Sequence, residues 1–365
     1  MKKDWTYKSF EDCIEKVKYT TKLQSKDYLA NGDYPIVSQE EELISGYWNN
    51  AADVFHAERP LVVFGDHTRV LKYVDFDFVL GADGVKILLP IEDLRAKFLY
   101  YYLKWYNVPN LGYSRHYKLL KDITLPIPPI SIQESIVREL DAIHGILEKK
   151  QAQLRELDNL AQAIFYEMFG DPVTNPKQWE VKKLGEVGCV ITGNTPSTKD
   201  VENYSSNDVC FFKPSDLETT SINLLNKSEY YISKYAYKKA RQLPKDTVLT
   251  TCIGIIGKVG ILAQDSTCNQ QINAIIPNKD TVLSRYLASS IFNLRYLLQE
   301  IANAPIVPLL NKTQFSNFSI PLPPLSLQQS FAAKIEAIEA QKQAITQSIH
   351  HTEALLAQRM DQYFA

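Results

Sequence analysis

Residues 126–136 read Pro-Ile-Pro-Pro-Ile-Ser-Ile-Gln-Glu-Ser-Ile, and residues 321–331 read Pro-Leu-Pro-Pro-Leu-Ser-Leu-Gln-Gln-Ser-Phe. The offset is 195 residues throughout. Pro126, Pro128, Pro129, Ser131, Gln133 and Ser135 recur as Pro321, Pro323, Pro324, Ser326, Gln328 and Ser330. Every other position exchanges apolar for apolar or Glu for Gln, so the chain is internally duplicated. A fainter echo opens each half: Trp5, Lys8, Phe10 and Asp12 match Trp179, Lys182, Leu184 and Glu186 at an offset of 174. The segments between the two anchors therefore differ in length, while the segments after the second anchor keep register.

The prolines can continue neither a helix nor a central strand, so they form an extended lead-in. Ser131 with Glu134, and Ser326 with Gln329, fit a capping box. Helices are expected from about 132 to Phe169, stopped by Gly170 and Pro172, and from about 327 to the C-terminus. Both carry apolar residues at a 3–4 spacing. In the first these are Ile136, Leu140, Ile143, Leu147, Leu154, Leu157, Ala161, Ile164 and Met168, interrupted by Lys150. In the second they are Phe331, Ile335, Ile338, Ile345, Ile349, Leu356 and Tyr363, interrupted by Lys342, Thr352 and Arg359. The pattern predicts a helix–helix seam. Helices of roughly 38 residues would span ~57 Å, longer than a typical domain core. Packing of each helix on its own head is the plainer alternative. Antiparallel pairing would relate the heads by a pseudo-twofold axis; parallel pairing would set them side by side.

The expected fold is α+β: two heads of similar plan at 1–130 and 172–325, and spacer helices at 131–171 and 326–365 forming an antiparallel coiled coil. In the first head, β-like runs occupy 34–37, 60–64 and 85–89. In the second they occupy 209–212, 247–250 and 272–276. A helical stretch comes after them in each, near 94–106 and 283–302. Polar loops are the candidate contact points: His67, Thr68 and Arg69, then Arg115, His116 and Lys118, in the first head. In the second they are Asn194, Thr195 and Ser197, then Asn269, Gln270 and Gln271. Arg pairs with guanine and Asn or Gln with adenine through two hydrogen bonds each. The same residue types also make ordinary turns and solvated loops.

Net charge is −2. The helical segments 131–171 and 326–365 together hold −5, which leaves +3 on the heads. A chain so weakly basic does not grip nucleic acid by counter-ion release alone. Five cysteines without a CxxC pair fit free thiols in a reducing compartment. Met1-Lys2-Lys3 leads into Asp4, Lys8, Glu11 and Asp12 without an apolar block, so no signal peptide is expected and a cytoplasmic location is the natural reading. No apolar run approaches the ~20 residues of a membrane span.

Catalytic motifs are missing. Gly254-Ile255-Ile256-Gly257-Lys258-Val259-Gly260 is not a P-loop, since Val259 comes directly after the lysine; a tight strand–turn–strand crossing is expected. There is no GxSxG elbow, no HExxH pair and no Asn-Pro-Pro-aromatic tetrapeptide. The six histidines offer no metal-ligand spacing.

Taken together, the chain resembles the specificity subunit of type I restriction–modification systems along its whole length. The pieces most specific to that family are 125–133 and 320–328, the loop 193–197, the stretch 211–217 with Lys213 and Asp216, and the run 243–261 ending at Lys258. Segments 64–69 and 78–90 also match. The resemblance implies two target-recognition domains, each reading half of a bipartite, asymmetric site on double-stranded DNA. It implies helices that fix the gap and dock two methyltransferase (M) subunits, with restriction (R) subunits added. It also implies that S-adenosylmethionine, ATP and magnesium are used by those partners, so this chain is expected to hold no cofactor, no metal and no catalytic residue. Two other readings stay open at this point: a stand-alone DNA methyltransferase or nuclease with degenerate motifs, and a coiled-coil adaptor with no DNA role.

Overall fold

The computed structural model describes residues 5–81, 84–112, 114–302 and 308–365. Residues 1–4, on which the reading of the N-terminus partly rests, lie outside them. The chain divides into two compact units, Met1–Gln151 with Gln347–Ala365, and Ala152–Thr346. The ranges expected from sequence set the helices apart from the heads. Contacts instead divide each long helix between the units, because the helix ends are buried in the head cores.

In the first unit, strand Thr6–Ser9 runs antiparallel to Thr124–Ile127, with Thr6 opposite Ile127. The main sheet has the order Ile14–Glu15, Val85–Pro90, Leu61–Gly65, Leu71–Val74. A second sheet is built on Phe78–Gly81, parallel to Tyr34–Val37, which pairs on its other edge with Gly46–Trp48. Helix Ala96–Tyr106 carries Phe98, Leu99, Tyr102 and Leu103 into a core with Phe10, Val62, Phe64 and Leu88.

The second unit repeats the plan. Glu180–Lys183 pairs with Ser319–Leu322, and Glu180 stands opposite Leu322. Adding 174 to Thr6 and 195 to Ile127 gives this pair, so the two sequence offsets are the register of one strand pairing. The main sheet runs Gly188–Thr192, Ile272–Pro277, Val248–Thr251, Val259–Leu262, with Asn223–Leu225 added at the edge. Thr267–Cys268 is parallel to Val209–Phe212, as Phe78–Gly81 is to Tyr34–Val37. The helix expected over 283–302 is broken: Ser284–Asn293 and Arg295–Ile301 flank Leu294, whose backbone leaves helical geometry at ψ 7° while its side chain stays buried.

The long helices are Ile130–Phe169 and Leu325–Phe364, 40 residues each. Gly170, at φ +80°, ends the first in the left-handed conformation that glycine adopts cheaply. Their starts differ from expectation. Ser131 and Ser326 already lie inside the helices, and Glu134 binds the Arg95 guanidinium instead of closing a capping box. The repeated glutamine is what the motif serves. Gln133 is fully buried. Its Nε2 donates to the carbonyls of Pro128 (2.8 Å) and Asp93 (2.7 Å), and its Oε1 accepts the Arg95 N–H at 2.8 Å. Gln328 does the same with Pro323 (2.9 Å), Thr281 (3.1 Å) and the Leu283 N–H (2.9 Å). Each side chain thus ties the proline lead-in to the turn preceding the head's helix. An ion pair repeats as well: Lys97 with Asp141 at 2.9 Å, and Arg285 with Glu336 at 3.0 Å.

Within the first unit the helical segments meet each other. Glu139 binds Tyr363 and Arg359, and the Lys150 amine donates to the Ser348 carbonyl and to the hydroxyls of Ser348 and Thr352. Within the second, Asp158 binds Lys342 at 2.6 Å and Phe165 packs on Phe331. In both, partner numbers fall as helix numbers rise. Ile136, Leu140, Ile143, Leu147, Phe331, Ile338 and Ile349 are buried, and Leu154, Leu157, Ile164, Ile335, Ile345 and Leu356 are partly buried. Ile136, Leu140 and Leu356 join the first head's core, while Ile164, Phe331 and Ile335 join the second's. The plainer alternative therefore also holds at the helix starts, while the last turns of each helix pack on the other head.

Replacing Gln133 by Leu removes the side-chain partner of the Arg95 N–H and of the Asp93 and Pro128 carbonyls. We expect the first unit to lose about 3 kcal/mol of unfolding free energy in urea, with Gln328→Leu doing the same to the second. A loss below about 0.5 kcal/mol, typical of surface changes, would remove the clamp's structural role. A second expectation concerns the thiols. Burial pushes Cys13 and Cys252 up to about 11 and raises Cys268 further. Cys210 is buried and Cys189 exposed. A thiol reagent at pH 8 should therefore label the folded chain first at Cys189, and Cys189→Ser should remove that fast phase.

Candidate nucleic-acid interface

In each unit, connections at one end of the main sheet are tied to one another. In the first unit the turn between Leu61–Gly65 and Leu71–Val74 closes through Gly65 N–H to Val70 O (2.8 Å) and Arg69 N–H to Gly65 O (2.8 Å). Arg69 is held at φ +64°, and its guanidinium donates to the Val108 carbonyl at 2.9 Å. Thr68 donates to the Gln39 carbonyl (2.6 Å), joining this turn to the loop after Tyr34–Val37. Lys72 braces that loop through the Glu42 carbonyl, and burial holds its amine below the ordinary lysine range. His67 is partly buried within the turn.

His116 is corrected by the structure. It was expected as a direct contact but is fully buried. The Leu111 N–H donates to its Nε2 (3.0 Å), which leaves Nδ1–H to donate to the Asp66 carbonyl (3.0 Å). Both ring nitrogens are thus committed inside the fold, where they hold the loop. Its neighbours Arg115 and Lys118 are exposed. The buried Asp66 carboxylate accepts the Tyr117 N–H at 2.8 Å.

The second unit has a matching arrangement. Gly193 passes so close to the carbonyls of Cys268 and Asn269 that a β-carbon would sit 2.3 and 2.2 Å from them, so only glycine fits. Thr195 Oγ1 meets Gln270 Oε1 at 2.5 Å, and Ser197 is exposed. Asn194 accepts the Arg241 N–H at 3.0 Å. Asn269 is corrected in the same way as His116: it is buried, its Oδ1 takes the Gln271 N–H (3.1 Å) and its Nδ2 donates to Gln271 Oε1 (2.9 Å). It shapes the turn that presents Gln270. Lys258 donates to the Pro214 carbonyl at 3.2 Å, linking two turns, and the Lys213 amine lies 3.1 Å from the Tyr230 ring centre. The glycine-rich run is the strand–turn–strand crossing expected, between antiparallel Val248–Thr251 and Val259–Leu262.

Thr68, Arg115, Lys118, Thr195, Ser197 and Gln270 are thus the candidates that reach solvent well, with Lys213, Lys258 and Gln271 partly exposed. Gln39 and Arg241, which tie these loops together, were not legible in the sequence, because they sit singly in loops without a motif to mark them. Among the described residues no group of three His, Cys, Asp or Glu side chains gathers as a metal site, and no helix is long and apolar enough to cross a membrane.

A specificity subunit of a type I restriction enzyme from Escherichia coli is 26% identical over 379 residues, covering 96% of this chain and 91% of that protein. Another from Methanocaldococcus jannaschii is 35% identical over 162 residues, covering 43% of this chain and 37% of that protein. The crystal structure of a type I restriction-modification S subunit from M. genitalium superposes with a TM-score of 0.61 at 13% identity, over 98% of this chain and 95% of that one. A chain from a structural study of complex assembly and conformational transition in the type I R-M system gives 0.56 at 16%, over 100% and 98%. The model of the type I restriction modification DNA specificity domain matches twice, at residues 2–157 and 176–352. The chain belongs to the type I restriction modification DNA specificity family and carries that domain in duplicate.

Proposed function

We propose that this chain is the sequence-reading subunit of a type I restriction–modification complex, each unit contacting one half of a bipartite, asymmetric site on double-stranded DNA. The observation that carries the reading is the duplication of one topology with two differently furnished loop clusters. Equal frames give both readers the same approach to duplex DNA, and unequal loops give each half-site its own sequence. Exposed Arg115, Lys118, Thr195, Ser197 and Gln270 supply donors and acceptors for base edges or phosphates. Weak basicity fits a reader whose partners supply much of the phosphate grip.

In this reading the two long helices form an antiparallel coiled coil. The contacts of Glu139 with Tyr363 and of Asp158 with Lys342 support that direction. The helices set the gap between half-sites and dock two M subunits, to which R subunits add. Methyl transfer with S-adenosylmethionine, and cleavage driven by ATP and magnesium, belong to those partners. The chain itself acts as no enzyme and works in the cytoplasm.

Exchanging residues 1–130 for those of a relative should change one half of the methylated motif, read by methylome sequencing, and leave the other intact. Changes in both halves or in neither would defeat the modular reading. Arg115→Ala and Lys118→Ala should each weaken specific binding by about 1–3 kcal/mol where a base is contacted, with an unaltered melting curve. His116→Ala should instead lower thermal stability, because the Leu111 N–H loses its partner and the Asp66 carbonyl keeps only the backbone N–H of residue 116. The purified chain with DNA, S-adenosylmethionine and magnesium should transfer no methyl group without an M subunit. Turnover by the chain alone would favour the stand-alone methyltransferase.

A further inference from the structure

The turn at residues 252–258 presents one apolar side chain in a way the polar loops do not. Ile256 is buried in the core, yet the adjacent Ile255 is 59% exposed. The pair is flanked by glycines in left-handed conformation, Gly254 at φ +74° and Gly257 at φ +86°. At Gly257 a β-carbon would lie 2.7 Å from that of Arg295, so only glycine fits there. Thr251 braces the turn from within. Its hydroxyl donates to the Ile255 carbonyl (2.6 Å) and accepts the Lys258 N–H (3.0 Å), while Gly257 N–H donates to the Thr251 carbonyl (3.1 Å). Ile255 is therefore held outward by a rigid support. The turn adjoins the polar cluster: Lys258 reaches the Pro214 carbonyl, and Cys252 N–H donates to the Gln271 carbonyl. The corresponding turn of the first unit, with Arg69 in the place of Gly257, exposes Thr68, whose hydroxyl is bound to the Gln39 carbonyl.

We propose that Ile255 is a specificity-determining residue, reading the C5-methyl group of a thymine in the half-site bound by the second unit. This rests on the DNA-reading function proposed above. The major-groove edge of thymine offers one apolar feature, its methyl, which apolar side chains contact. A braced aliphatic tip suits that feature because little side-chain or loop freedom is lost on contact. Water is excluded from both surfaces, and no hydrogen bond is required.

The test uses the assembled complex with its M subunits. The probes are duplexes carrying the split motif found by methylome sequencing, with each thymine of the second unit's half-site replaced singly by uracil, which lacks only the methyl. Wild-type complex should lose about fourfold in affinity at one position, the worth of one buried methyl. Ile255→Ala should bind the thymine duplex about tenfold more weakly and show no further loss with uracil at that position. Ile255→Val should restore most of the affinity and the sensitivity. Specific binding with equal thymine-to-uracil losses in wild type and Ile255→Ala overturns the inference, as does a half-site without any A·T pair. A complex that distinguishes no duplex from random sequence would instead remove the DNA-reading function, and this inference with it.

Discussion

A primary amide buried inside a fold must find a partner for each of its polar groups, and that constraint organises both halves of this chain. Gln133 and Gln328 each meet it with two donated bonds and one accepted bond, all to backbone. Backbone partners do not depend on side-chain identity, so the clamp survives divergence of everything around it. It also fixes direction. A helix whose first turn is bolted to the turn before Ala96–Tyr106 or Ser284–Asn293 can leave the head along one line only. The ion pairs Lys97 with Asp141, and Arg285 with Glu336, hold the next turns on the same line. Partly exposed ion pairs of this kind add little stability. The three hydrogen bonds to a fully buried amide are the stronger constraint.

Aromatic residues complete each core from the far ends of the helices. Phe165 and Phe169 pack on Tyr286 and Phe331 in the second unit, and Phe364 packs on Phe98, Tyr102 and Trp105 in the first. Phe169 and Phe364 are related by the same offset of 195, as are Phe165 and Met360. Each head is thus closed by its own helix and by the last turns of the other. This explains why contacts divide the helices between units, and why a periodic apolar stripe was legible in the sequence while its partner was not. The period reports that a face is buried. It does not report whether a helix or a sheet covers it.

Much of the frame could be read from residue order. The offsets 174 and 195 turned out to be one strand register, and most β-like runs fell within a residue or two of the strands. The capping box did not hold, because a serine three residues before Glu or Gln is only a local signal. What decided the helix start was a long-range bond from Gln133, which local spacing cannot reveal. The site was less legible. His116 and Asn269 look like readers because their polar atoms sit in loops beside Arg115 and Gln270, yet both are buried and spent inside the loops. A loop needs some polar side chains to hold its shape and others to face outward. Both kinds come from the same small set of residue types, so composition cannot separate them and burial can.

The division of labour within the loops explains how one frame serves two sequences. Where the chain returns after each head's helix, it pairs with the residue just past the central strand: His116 N–H donates to the Asp66 carbonyl at 2.8 Å, and Leu310 N–H donates to the Cys252 carbonyl at 2.9 Å. The bond is the same, but the four side chains share no chemistry. In the first unit Asp66 and His116 add polar bonds of their own; in the second Cys252 and Leu310 sit in an apolar core. The backbone alone therefore carries the shared part of the loop framework. Exposed side chains beside it, Arg115 and Lys118 in one unit and Ile255 in the other, take no part in that bond and are free to change. A domain built this way can change its exposed loop side chains without disturbing that shared framework. That independence comes from where the hydrogen bonds are placed.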